Sequence, residues 1–208
     1  MGDALVSGLL AGYGVAIPVG AIAVLIIGLS ARTSLRVGAG AALGVAAADG
    51  LYALVAVLGG AAIAGVIRPV AVPLRVVAAI VLLVIACRVA VGAWQHYRDP
   101  ARAAATPALH TPQRAFFALL GLTILNPTTI VYFAALVLGQ RSAGIGSGAA
   151  ASIGFVVAAF VASASWQLVL AAGGSALGRV LASGRGRLVT ALVSSAVIVA
   201  LAIRTLAG

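Results

Sequence analysis

Apolar positions in this chain form long unbroken runs. They do not show the three-to-four or alternating spacing of a half-buried helix or strand. Six runs exceed the roughly 18 residues that distinguish a membrane span from a buried core helix. They are Leu5–Leu29, Val37–Gly60, Val72–Ala93, Arg114–Leu138, Ala149–Ala172 and Leu188–Leu206. The links between them are mostly short and rich in Gly, Ser, Arg or Pro. The pattern predicts an all-α integral membrane protein of six transmembrane helices, forming a single transmembrane domain over residues 1–208. The longest polar link, residues 95–113, separates residues 1–94 from residues 114–208, with three spans in each half.

The halves resemble each other. Pro18 falls near the middle of the first span and Pro127 near the middle of the fourth. Each proline-bearing span leads through a short Arg-containing link to a Gly/Ala-rich span ending in a glycine pair, Gly59-Gly60 or Gly173-Gly174. Three is an odd number of crossings, so a second copy enters the membrane the other way up. The expected fold is therefore two inverted three-helix repeats, with the first and fourth helices broken at proline, a pattern typical of secondary transporters. When the glycine pairs are superimposed, Ser163 falls where Asp49 lies in the first half.

Composition narrows the class. Hydrophobic residues make up 63% of the 208 and charged residues 8%, against about 25% charged in soluble domains. The net charge of +10 comes entirely from arginine. These arginines sit between apolar runs rather than on one basic face, which fits lipid headgroups and argues against nucleic acid. Links 1–2, 3–4 and 5–6 carry eight arginines and the opposite face four, with Arg88 inside the third span. That bias places the three links in the cytoplasm and both termini outside. The single cysteine, Cys87, excludes a disulfide framework. The N-terminus lacks a positive region and its apolar run is long for a signal peptide, so it reads as a retained span.

Asp49 is the only acid inside a span. A charged aspartate at the bilayer centre costs roughly 2.5–3.5 kcal/mol on insertion scales, so it should face the protein interior or a wet cavity. A low-dielectric setting favours the neutral acid and a nearby cation favours the carboxylate, the opposed effects a proton-exchanging or cation-binding site needs. The alternative is an aspartate that ties helices together by hydrogen bonds. Pro18 and Pro127 each remove a backbone donor, and in lipid the freed carbonyls must find protein, water or substrate. Gly20 loosens the first break, and Asn126, Thr128 and Thr129 add polar groups to the second. A half-helix N-terminus carries unpaired N–H groups and suits a carboxylate. The candidate substrate-binding set is Asp49, Pro18, Gly20, Asn126, Pro127, Thr128, Tyr52 and Ser163, with Asp49 also the candidate for proton coupling. Tyr132 and the group Ser163, Ser165, Trp166, Gln167 could line the same path or make interhelical hydrogen bonds. Arg88 either snorkels to the cytoplasmic face or pairs with Asp49.

No catalytic residue, cofactor or fixed metal cage is expected, since clustered acids and thiols are lacking. An intramembrane aspartyl protease needs a second membrane acid, a Ser-His protease needs a histidine in a span, and no phosphate loop occurs. His96 and His110 fall in the polar link.

At these residues the chain resembles the LysE/RhtB family of amino-acid exporters. The likeness lies in Ala16-Ile17-Pro18-Val19-Gly20 with its apolar half-span and basic link. It continues in Gly44 through Ala48-Asp49-Gly50-Leu51-Tyr52, and in Leu125-Asn126-Pro127 after Phe116-Phe117. Family members usually have a second proline where this chain reads Gly20-Ala21, and many have a lysine where it has Thr128. The resemblance implies a multi-pass protein of the bacterial cytoplasmic membrane that exports small-molecule amino acids and is driven by protons. The wider superfamily includes exporters of divalent metal ions, so a cation exporter remains the first alternative. A non-transporting membrane scaffold and a passive channel stay open, as does a homo-oligomer.

Overall fold

In the computed structural model, residues 2–18, 20–67, 71–98, 111–126, 129, 132–133, 148–180 and 184–207 are described. Every regular element among them is a helix: α1 (Gly2–Ala16), α2 (Ala21–Arg32), α3 (Leu35–Ile67), α4 (Ala71–Arg98), α5 (Pro112–Ile124), α6 (Ala149–Val180) and α7 (Gly184–Ala207). Two helices are long and apolar enough to cross a membrane, within Leu35–Gly59 and Ala149–Arg179. A third span results when α1 and α2 are taken together as one bent unit. Shorter apolar stretches lie in α4 (Ala79–Gln95) and α7 (Ala191–Ile203).

Several boundaries differ from those the apolar runs suggest, and packing or capping explains them. Both glycine pairs lie inside helices, because α3 runs on to Ile67 and α6 to Val180. At Gly174 a side chain would strike the Ile27 backbone, so that glycine serves close packing. The link expected at residues 95–113 gives up Gln95–Arg98 to α4, where the Arg98 guanidinium stacks over the Trp94 ring at 5.0 Å, one turn away. The helix start expected at Arg114 moves back to Pro112. Thr111 caps it by accepting from the Arg114 N–H at 3.3 Å, with proline in the first turn. Ser34 caps α3 by accepting from the Val37 N–H at 3.3 Å.

The distribution of side-chain size is inverted relative to a soluble protein. Large apolar residues point outward, among them Leu10, Leu58, Ile80, Ile153 and Val169. The interior is lined by small ones, such as Ala11, Ala41, Ala46, Ala53, Ala159 and Ala162. Lipid solvates the large side chains, and small ones let backbones approach.

Glycine contacts give the register of these approaches. Gly8 lies on Phe155 and Gly12 on Ala159, while Gly174 lies on Ile27 and Gly178 on Ala31. All four pairs share an offset of 147 residues, so α6 runs parallel to α1 and then to α2 in a single register. Gly40 on Pro112 and Gly44 on Phe116 share an offset of 72, so α3 and α5 are also parallel. Gly38 lies near Ala171 and Gly50 against Phe160, which makes α3 and α6 antiparallel.

Two apolar clusters fill the interior. One gathers Leu25, Ile26 and Leu29 of α2, Val37, Ala41, Ala42 and Val45 of α3, Ala115, Leu119 and Leu122 of α5, Ala171, and residues of α4 and α7. The other gathers Ala11, Tyr52, Ala53, Ala56, Phe133, Phe155 and Ala159. Between them, on α3 and α6, lies a polar layer.

Candidate functional site

Asp49 and Ser163 form the centre of that layer. Asp49 is 3% exposed and Ser163 fully buried. The Ser163 hydroxyl donates to the Asp49 carboxylate at 2.6 Å, a charge-assisted geometry when the acid is ionised. The helices that carry them fix this meeting. Gly50, beside Asp49, lets the Phe160 ring come within 3.3 Å of where its Cβ would stand, one turn before Ser163. The two positions that correspond when the halves are superimposed therefore touch each other.

The interruption between α1 and α2, a bend of 76°, falls between the contacts of Gly12 with Ala159 and of Ile27 with Gly174, so it faces the stretch of α6 that carries Ser163. Helical structure stops at Ala16 and resumes at Ala21, with Ile17 and Pro18 in a bend. The Tyr13 hydroxyl lies 3.0 Å from the Ser165 hydroxyl and bridges the last turn of α1 to α6. Gly20 has extended backbone (φ −114°, ψ −173°) and supplies no side-chain cap to α2. A Cβ at Gly20 would meet nothing within 4 Å among the described residues. Uncapped N–H groups at a helix N-terminus attract anions.

Two more polar groups belong to this part of α6. The Gln167 side-chain oxygen and the Trp166 indole N–H are buried without a hydrogen-bond partner among the described residues, as is the Ser195 hydroxyl on α7. An unsatisfied buried group costs about 1–3 kcal/mol, a cost that water or a ligand in the layer relieves.

The second interruption is described in part. α5 ends at Ile124, and the Asn126 N–H turns back to the Thr123 carbonyl at 2.9 Å. Pro127 and Thr128 lie outside the described residues. Tyr52 is on the same face of α3 as Asp49, but its hydroxyl donates to the Ile124 and Thr123 carbonyls of α5. Arg88 is exposed on α4, whereas Asp49 is buried and bonded to Ser163. Cys87 is exposed. No cluster of three potential metal ligands occurs among the described residues.

The structure thus brings Asp49 and Ser163 together, sets the interruption between α1 and α2 along the stretch of α6 that carries Ser163, and turns Tyr52 toward backbone. Sequence reasoning did not single out Tyr13. Its signal was available, since a polar side chain one turn before a helix interruption lies beside any site built there. Buried Thr123 was likewise passed over; its hydroxyl donates to the Leu119 carbonyl at 2.7 Å, one turn back in α5.

Comparisons with curated proteins and with solved structures give no match. The model of the LysE type translocator family matches residues 14–208, which takes in both interruptions, Asp49 and Ser163. The chain is accordingly a member of the LysE type translocator family, whose members move a substrate across a membrane.

Proposed function

We propose that this translocator is a secondary exporter of amino acids, coupled to protons and working by alternating access around Asp49. In this reading six helices form two inverted three-helix repeats in the cytoplasmic membrane. The observation that carries it is the contact between Asp49 and Ser163. Residues at corresponding positions of two repeats touch only where they lie on the axis relating them. An inverted repeat puts that axis in the membrane plane and the substrate site on it.

The parallel pairings agree with such an axis. It exchanges the first span with the fourth and the second with the fifth. The pairing of α1 and α2 with α6 then becomes the pairing of α5 with α3, and both pairs are parallel. The substrate carboxylate meets the uncapped N–H groups at the start of α2. Its ammonium group faces Asp49, which releases a proton as the cation arrives and takes one back as the cation leaves. Ser163 rotates its hydroxyl to serve either state of the acid. Gln167 and Trp166 offer an acceptor and a donor in the same layer.

The test is a panel of radiolabelled amino acids in proteoliposomes with an imposed pH gradient. Uptake of one class into inside-out vesicles, abolished by collapsing the gradient, is expected. Transport of a divalent metal ion without competition from any amino acid would replace this reading with that of a cation exporter.

A further inference from the structure

Tyr52 is three residues beyond Asp49 on α3 and therefore on the same helix face. Its spacing alone places it among the substrate contacts, but its hydroxyl is directed elsewhere. It donates to the Ile124 carbonyl, and the Thr123 carbonyl lies 3.3 Å away. The sequence explains why one of those carbonyls, that of Thr123, lacks its helical donor. In a continuous helix the Thr123 carbonyl would accept from residue 127, and residue 127 is a proline without an N–H. The Leu125 N–H still reaches the Gly121 carbonyl at 3.1 Å, and the Asn126 N–H closes a tighter final turn on Thr123.

The phenol is well placed to hold that end. Tyr52 is buried in the cluster that contains Ala53, Ala56, Phe133 and Phe155, so its ring has little room to swing. At the far end of α5, Gly40 and Gly44 seat α3 directly on Pro112 and Phe116. α5 is thus fastened to α3 at its first turns by glycine packing and at its last turn by one hydroxyl.

We infer that Tyr52 is a positioning residue of the transport site rather than a substrate ligand. Its hydroxyl fixes where α5 ends, and so fixes Asn126 relative to Asp49. This inference rests on the exporter reading above. It follows that substrate affinity depends on a hydroxyl that never touches substrate.

Tyr52→Phe removes the donor and keeps the ring. Two readouts separate its effects. Hydrogen–deuterium exchange on the purified protein should be faster at the Leu125 and Asn126 amides, with the rest of α5 unchanged. Labelled amino-acid uptake should show KM raised about five- to tenfold with Vmax within about twofold, the pattern of lost uniform binding. A purely structural role would lower thermal stability and leave the KM of the folded fraction at the wild-type value. Wild-type exchange at Leu125 and Asn126 together with a wild-type KM overturns the inference. If exchange accelerates in the variant but the wild-type protein carries no amino acid, the fastening of α5 stands and the exporter reading falls.

Discussion

The two helix interruptions are finished in opposite ways. At the end of α5, the Thr123 carbonyl, whose helical partner would be Pro127, receives the Asn126 N–H, and the Tyr52 hydroxyl donates to the Ile124 carbonyl beside it. At the start of α2, Gly20 supplies no side-chain cap, and no described residue comes within 4 Å of where its Cβ would stand. Among the described residues, one end is closed by donors and the other carries no cap. Within lipid, an open helix end persists only beside water or ligand. In the proposed exporter, the α5 end is frame and the α2 end is available for binding.

The glycine contacts show how firmly the open end is held in place. α6 follows α1 and α2 in a single register on both sides of the interruption. The gap is therefore held along the stretch of α6 that carries Ser163. The largest effect is expected where this register is broken. Gly12→Leu drives a side chain into the Ala159 backbone, which cannot yield as a side-chain tip would. Overpacking of this kind costs about 3 kcal/mol or more, and thermal unfolding in detergent should show a large drop in melting temperature. A melting temperature near wild type would mean that α1 and α6 do not need this close approach.

A smaller effect is expected at the interruption itself. Pro18→Ala restores a donor for the Gly14 carbonyl and lets α1 extend toward α2. The open N–H groups would be lost to intrahelical bonds. Substrate KM should rise roughly tenfold, the equivalent of one charge-assisted hydrogen bond, while thermal stability holds or rises. An unchanged KM would remove the α2 end from the site and leave the comparison of the two ends without functional content.

The smallest effect lies away from both ends. Thr111→Ala deletes the cap of α5, at a cost of about 1 kcal/mol. Thermal unfolding should detect it, and KM should not move, because Gly40, Gly44 and Tyr52 still seat α5 on α3. A raised KM would show that the start of α5 matters to the site as much as its end.

Much of this arrangement is legible in the residue order, and the limits have physical causes. Unbroken apolar runs mark helices because lipid offers no partner for exposed backbone. Asp49 stands out because acids are costly at mid-depth. Its correspondence with Ser163 follows from aligning two glycine pairs, although that alignment does not say the two residues meet. Helix ends are less legible, since Gly174 reads as a stop when it is a packing surface against Ile27. Tyr52 shows the same limit. Spacing places it on the face of Asp49, but the direction of its hydroxyl depends on a carbonyl orphaned 72 residues further along the chain. Such pairings are set by tertiary structure, which a local pattern does not encode.

The central claim is that Asp49 handles the proton and the cationic end of the substrate on the axis between the repeats. Its most direct measurement is pH-gradient-driven uptake by Asp49→Asn in proteoliposomes, beside wild type at matched protein density. The amide retains a hydrogen bond to Ser163 and cannot ionise, so folding should survive and gradient-driven uptake should fall to background. Uptake at the wild-type rate, still responsive to the gradient, would contradict the account.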